Sequence, residues 1–171
     1  MKVTKIESLH ADAGWRTFSF LKISTDEGIV GWSEYNACYG SVGLPLAIDM
    51  LAPRVVGKNP LAIEAIVAEM YAATRQSPGG VVQQAIGAIE NGLLDVKGKA
   101  LNVPVYALLG GPVRDKLRLY WSHCGTTRLF NAEACGVRPV KTLKDVVALG
   151  KEVKKKGFTA LKTNLLILDQ G

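Results

Sequence analysis

Lys162 and Asn164 stand two residues apart in the run Phe158 to Leu166, FTALKTNLL. Side chains of a strand alternate between its faces, so this spacing puts the ammonium and the amide on one face together with Phe158 and Ala160. A lysine at the C-terminal end of a parallel strand occupies the position where α/β folds build their active sites. Burial or a neighbouring cation can bring its pKa towards neutrality, which suits proton abstraction next to a carboxylate. A lysine that merely snorkels at a strand end is the alternative. Ser122-His123 closes the preceding apolar stretch and would lie beside Lys162 and Asn164 in a parallel pair, where the histidine serves either as a catalyst or as a structural hydrogen bonder. Two further places could touch a ligand. Trp15-Arg16 and Tyr39-Gly40 occupy turns on either side of an N-terminal run of strands, and their other reading is as ordinary exposed turn residues.

Other chemistries find no support. The sequence has no HxH or HExxH for a metal and no Asp placed to complete a Ser/His triad. Gly110-Gly111 lacks the Lys-Ser/Thr partner and the preceding strand of a phosphate loop.

The elements that must position these residues are legible in order. Lys2 to His10, Arg16 to Thr25 and Ile29 to Glu34 read as three strands, with turns at Ala11–Gly14 and Asp26–Gly28, hence an antiparallel meander that needs a cover on one face. Pro45 to Leu51 reads as a helix. Asn59-Pro60 reads as the cap and first residue of another, with Ile63, Ile66, Val67 and Met70 on its apolar stripe. The longest helix comes after Gly79-Gly80: Val82, Ile86, Ile89, Leu93 and Val96 recur at spacings of four and three. Gly87, Ala88, Gly92 and Gly98 leave it bare. An interior glycine costs about 0.8–1.0 kcal/mol relative to alanine, so something is expected to pack close against this backbone. Pro104 stops it, and VYALL forms a short helix that Gly110-Gly111-Pro112 ends.

After Asp115 the pattern changes. Leu117, Leu119 and Trp121 alternate in KLRLYWSH, a predicted strand. Thr142 and Asp145 have capping-box spacing ahead of a helix with Leu143, Val146, Val147, Gly150 and Val153 on one stripe, closed by Gly157. Strand, helix and the FTALKTNLL strand make a βαβ unit with parallel strands.

Composition narrows the class. The 171 residues are 48% apolar and 21% charged, an ordinary globular balance, with a net charge of +6. The basic run Lys151–Lys156 falls at the end of a predicted helix, where it complements the macrodipole, so nucleic acid is not an expected partner. Cys38, Cys124 and Cys135 are an odd set without metal spacing, which fits a reducing cytoplasm. No apolar run reaches the roughly 20 residues of a membrane span, and the N-terminus does not read as a signal peptide, so a soluble protein without membrane contact is expected.

The stretch IENGLLDVKGKALNVPVYALLGGPVRDKLRLYWSH resembles the end of the capping domain and the first barrel strand of the mandelate racemase/muconate lactonizing branch of the enolase superfamily, and GFTALKTN resembles its second strand, which carries a K-x-K motif. The resemblance implies an α+β capping domain over residues 1–114, an antiparallel meander plus helices, followed at 115–171 by the first βαβ unit of an incomplete (β/α) TIM-type barrel. It implies proton abstraction α to a substrate carboxylate with Mg²⁺ stabilising the enediolate. It also implies that the loops around Trp15-Arg16 and Tyr39 close over a small carboxylate substrate, and that Lys162 is the first Lys of the motif. The second Lys is Asn164 here, which cannot accept a proton, so the pattern is more similar to galactonate-type sugar-acid dehydratases than to two-base racemases. A racemase or cycloisomerase of the same family is the alternative. No metal ligand is assigned within this chain: the acidic ligands and a later histidine are expected on barrel strands beyond it. A full (β/α)₈ barrel takes about 250 residues, far more than remain after Asp115. The chain alone is therefore expected to be inactive, needing the remainder of the barrel or a second chain, and a homo-oligomer is implied when complete. A catalytically dead fragment acting only through association with another chain is the non-enzymatic alternative.

Overall fold

A computed structural model describes residues 1–38 and 41–164 of the chain. Tyr39, Gly40 and the tail from Leu165 lie outside the described residues. The chain divides into two compact units, Met1–Pro112 and a second that begins at Val113.

The first unit is the α+β arrangement expected from the alternation and helical periods. Strands β1 (Val3–Asp12), β2 (Thr17–Thr25) and β3 (Val30–Tyr35) form an antiparallel sheet in the order β1-β2-β3. The β1–β2 ladder continues to Asp12↔Thr17, so the turn predicted at Ala11–Gly14 begins two residues later. Cross-strand pairing of Ala11 with Phe18 outweighs the local turn preference of Ala-Asp. Leu21 and Ile23 of β2 are buried on the inner face, with Ser19 and Thr25.

Helices α1 (Leu44–Leu51), α2 (Ile63–Ala73), α3 (Gly80–Leu101) and α4 (Val105–Leu108) come next, with a 3₁₀ turn at Ala52–Arg54 after α1. Helix α2 starts later than Asn59-Pro60 suggests. Asn59 Oδ1 accepts from the Leu61 N–H at 3.0 Å, closing a separate turn, and Ala62 takes the N-cap position with no side-chain cap. Its stripe is as read: Ile63, Ile66, Val67 and Met70 are all buried.

Helix α3 is the centre of this unit. Ile86, Ile89, Leu93 and Val96 are buried in one core with Leu21, Ile23, Ile48 and Met70. Two of its bare positions are close approaches. A β-carbon at Gly92 would lie 2.7 Å from Ile23 Cδ1, and one at Gly98 2.9 Å from the Val103 carbonyl oxygen. Gly87 is different, since nothing lies within 4 Å of a β-carbon there. The tightest contact involves a glycine on the other side: a β-carbon at Gly31 of β3 would collide with the Gly92 carbonyl oxygen and lie 2.6 Å from Val96 Cγ2. Side chains of α3 also occupy hydrogen-bonding groups of β3. Asp95 Oδ2 accepts from the Trp32 N–H at 2.7 Å, and Lys99 Nζ donates to the Val30 carbonyl at 2.8 Å. The free edge of β3 is thus covered by the helix.

The second unit has the expected parallel pairing in shorter form. Strand β4 (Trp121–Ser122) pairs with β5 (Leu161–Lys162), with helices α5 (Thr126–Phe130) and α6 (Leu143–Lys155) between them. The strand predicted over KLRLYWSH is realised only at its end. Leu117 and Leu119 are each 70% exposed, and the segment is joined to the chain before β5 by Arg118 instead of by a ladder. Its Nε donates to Thr159 Oγ1 at 2.8 Å and its Nη2 to the Thr159 carbonyl at 2.9 Å.

The capping box at α6 forms as spaced: Thr142 Oγ1 accepts from the Asp145 N–H, and Asp145 Oδ2 accepts from the Thr142 N–H. The buried face of α6 is rotated from the predicted stripe. Leu149 and Val153 face a core with Cys124 and Val140, whereas Leu143 is 79% exposed and Val147 also lies outside. Periodicity measures the apolar arc of a helix. The layer beneath decides which part of the arc is used.

Candidate active site

Ser122 and Lys162 are register partners in the parallel pair, so their side chains leave the same face of the ladder; Asn164 follows two residues beyond the end of β5. Lys162 and Asn164 are exposed. Immediately after Ser122 the chain leaves the strand through His123, whose φ of +53° is a left-handed conformation uncommon outside glycine. Its imidazole Nδ1 lies 2.8 Å from Ser122 Oγ, a contact that either tautomer can satisfy. Its carbonyl accepts from the Thr127 N–H at 2.9 Å, which starts α5. The structure therefore gathers Ser122, His123, Lys162 and Asn164 at the C-terminal ends of two parallel strands. All four are polar groups able to bind or orient an anionic or hydroxylated ligand.

Behind β4 the side chains are locked by charge. Arg128 of α5, 8% exposed, makes two parallel contacts of 3.0 Å with the Glu152 carboxylate of α6. Lys156 Nζ lies 3.3 Å from the same carboxylate and 4.5 Å from the centre of the Trp121 ring, and the Arg128 guanidinium is 5.6 Å from that ring. The hydrogen bond from Arg128 holds the Glu152 carboxyl below the ordinary glutamate value, aided by Lys156 and opposed by burial. With Glu152 a third exposed, solvent screens the pair, and its main effect is to hold the two helices and the Trp121 ring in register. The consequence for β4 is that Trp121 is fixed on the rear face, while Ser122 on the front meets only the His123 ring.

Spacing along the sequence had no means of finding this pair, because its members lie on different helices. Nor did it single out Thr126, whose Oγ1 accepts from the Asn164 N–H at 3.1 Å. The small residues of CGTT were the only signal.

In the first unit, the β1–β2 turn runs Ala13–Arg16. Asp12 Oδ1 accepts from the Gly14 N–H at 2.8 Å, and the Ala13 N–H donates to the Arg16 carbonyl at 3.0 Å. Arg16 is already engaged: its guanidinium stands 3.7 Å from the Phe18 ring centre, and its Nη2 donates to Glu34 Oε1 at 2.9 Å. Trp15 sits edge-on to Phe18 at 6.0 Å and is 39% exposed, so it is the residue of this turn with surface to offer. Tyr39 falls outside the described residues. Among the described residues, no group of three or more His, Cys, Asp or Glu side chains is placed to hold a metal ion. These residues alone do not fit Mg²⁺.

Residues 8–110 match the model of the mandelate racemase/muconate lactonizing enzyme N-terminal domain. The chain belongs to the mandelate racemase/muconate lactonizing enzyme family. Its first unit is accordingly the capping domain of the enolase superfamily. A D-galactonate dehydratase from Pectobacterium atrosepticum is 38% identical over 164 residues, covering 96% of this chain and 38% of that protein. A D-galactonate dehydratase from Xanthomonas campestris is 43% identical over 120 residues, 70% of this chain and 31% of its own length. Among solved structures, a Burkholderia xenovorans protein provisionally named L-alanine-DL-glutamate epimerase superposes with a TM-score of 0.93 at 46% identity, covering all of this chain and 43% of that one. The same protein has been solved bound to magnesium and fumarate. The chain thus spans less than half the length of each of these relatives. No helix among the described residues is long and apolar enough to cross a membrane.

Proposed function

We propose that this chain, completed by further barrel strands, is part of an enzyme that removes the proton α to the carboxylate of a sugar acid and so dehydrates it. The observation that carries this reading is the Ser122–Lys162 register. It supports a lysine, a serine and a histidine converging at the open ends of parallel strands, a place suited to an anionic substrate. In this reading residues 1–114 are the capping domain and 115–171 begin the barrel. Trp15, Arg16 and Tyr39 are assigned to substrate contact from the capping domain, Arg16 being held on Glu34. Ser122 and His123 bind the substrate's polar groups. The Lys162 ammonium faces the carboxylate whose negative charge grows as the α-proton leaves, and Asn164 orients substrate or water, since an amide does not take up a proton at neutral pH. Mg²⁺, when bound, would neutralise the enediolate. Its ligands would come from strands outside this chain, and none of the roles of this chain's own residues passes through it. The three free thiols suit a cytoplasmic setting, and the assembled enzyme is proposed to be a homo-oligomer.

Epimerisation or racemisation is the second reading, favoured by the name and 46% identity of the Burkholderia xenovorans relative. Asn164 weighs against it, because it stands where the motif has the second lysine, and an amide cannot serve as one of the two bases at neutral pH.

The test is Lys162→Met in a full-length enzyme carrying this chain, with galactonate-type acids as substrates and 2-keto-3-deoxy acid formation as the readout. Loss of a preorganised charge of this kind is worth about 3–4 kcal/mol, or roughly 10²–10³ in kcat. Asn164→Ala is expected to cost less. Near-normal kcat for Lys162→Met would return Lys162 to the role of a snorkelling surface residue.

A further inference from the structure

We propose that Gly125 and Thr126, the turn between β4 and α5, form a clamp that positions Lys162 and Asn164, with Thr126 acting as a positioning residue of the site. This rests on the reading of Lys162 and Asn164 as residues of the active site. Strand β5 is held to β4 over only two residues, too short a ladder to fix the residues after it. Beyond the ladder, the Asn164 N–H donates to Thr126 Oγ1 at 3.1 Å, so the chain is tied again one residue pair after Lys162. Gly125 supplies the second hold. Its φ of −87° and ψ of −43° suit any residue, so the requirement for glycine is one of space. A β-carbon there would collide with Thr163 Oγ1 and lie 3.3 Å from Thr163 Cβ and 3.4 Å from Leu149 Cδ2. Thr163 therefore rests directly on the Gly125 backbone. The clamp is itself anchored, because Arg128, two residues into α5 from Thr126, is bound to Glu152 of α6. Lys162 is the last residue of the ladder and stands directly before the clamp, so its backbone is held on both sides and its side chain leaves the face shared with Ser122.

The experiment compares Thr126→Val, which keeps the shape and removes the acceptor, with Thr126→Ser, which keeps the hydroxyl. In the chain, solvent exchange of the Asn164 amide proton, followed by NMR, is expected to accelerate by about tenfold in Thr126→Val, as loss of one hydrogen bond implies, and to stay near the parent rate in Thr126→Ser. In the full-length enzyme, Thr126→Val is expected to lower kcat by about tenfold or more with KM changed less than about twofold, since small misplacements of catalytic groups carry such losses. Thr126→Ser should restore it. Unchanged Asn164 exchange, or unchanged kcat, in Thr126→Val overturns the clamp. Lys162→Met measured alongside separates the two levels. Lost turnover there with an unaffected Thr126→Val overturns the clamp alone, whereas retained turnover in Lys162→Met overturns the functional reading and the clamp with it.

Discussion

Replacing Gly31 by alanine puts one methyl group where β3 and α3 meet backbone to backbone. The new carbon would overlap the Gly92 carbonyl oxygen and lie 2.6 Å from Val96 Cγ2 and 3.1 Å from the Val96 nitrogen. Two of those three atoms belong to the helix backbone and cannot rotate away. Helix α3 would therefore have to withdraw by about 1 Å to restore ordinary contact distances. A gap of that size forfeits a quarter to a half of each dispersion contact. Ile86, Ile89, Leu93 and Val96 are the buried residues of α3 that lean on the sheet and its neighbours. At about 2 kcal/mol of burial each, loss of a quarter amounts to about 2 kcal/mol. Strain on the hydrogen bond from the Trp32 N–H to Asp95 adds about 1 kcal/mol. Gly31→Ala should thus destabilise the first unit by about 3 kcal/mol, a large part of an ordinary stability of about 5–15 kcal/mol. Gly92→Ala meets the flexible end of Ile23, so its rotamer strain of about 0.5–1.5 kcal/mol largely cancels the gain in helix propensity. Gly87→Ala meets nothing and should stabilise by about 0.5–1 kcal/mol. The assay is amide exchange of Ile89, Leu93 and Val96, whose protons are released only when the unit opens. A Gly31→Ala protein within about 1 kcal/mol of the parent, or a destabilised Gly87→Ala, would refute the packing argument.

Two further outcomes concern the second unit. Because Arg128 depresses the folded-state pKa of Glu152, the stability this carboxylate contributes is fully present above the unfolded glutamate value of about 4.3 and is lost as pH falls through the lower folded value. Protection of the Leu149 and Val153 amides, taken relative to intrinsic exchange at each pH, should be insensitive to this pair from about pH 7 to about pH 5 and fall below that, and Glu152→Gln should remove that part of the acid dependence. Iodoacetamide should alkylate Cys38 and Cys135 well before Cys124, since Cys124 is buried and burial pushes its thiol pKa up. Peptide mass spectrometry showing Cys124 modified as fast as Cys135 would contradict its placement in the core.

Much of this protein could be read from local pattern. The three strands, the stripe of α2, the long glycine-bearing helix and the Thr142–Asp145 box are decided by residues within one or two turns of each other, and their energetics are local. Tertiary structure alone decided the contacts between residues far apart in the chain: Gly31 against Gly92, Asp95 on the Trp32 amide, Arg128 on Glu152, and Thr126 on the Asn164 amide. The shortness of β4 was decided in the same way, since Leu117 and Leu119 have strand-like spacing but a strand exists only where a neighbour completes its hydrogen bonds. So was the rotation of α6, whose apolar arc is wider than the layer it covers. Gly87 and Gly92 look alike in the sequence, and only the position of Ile23 distinguishes a glycine packed against a neighbour from one that faces open space.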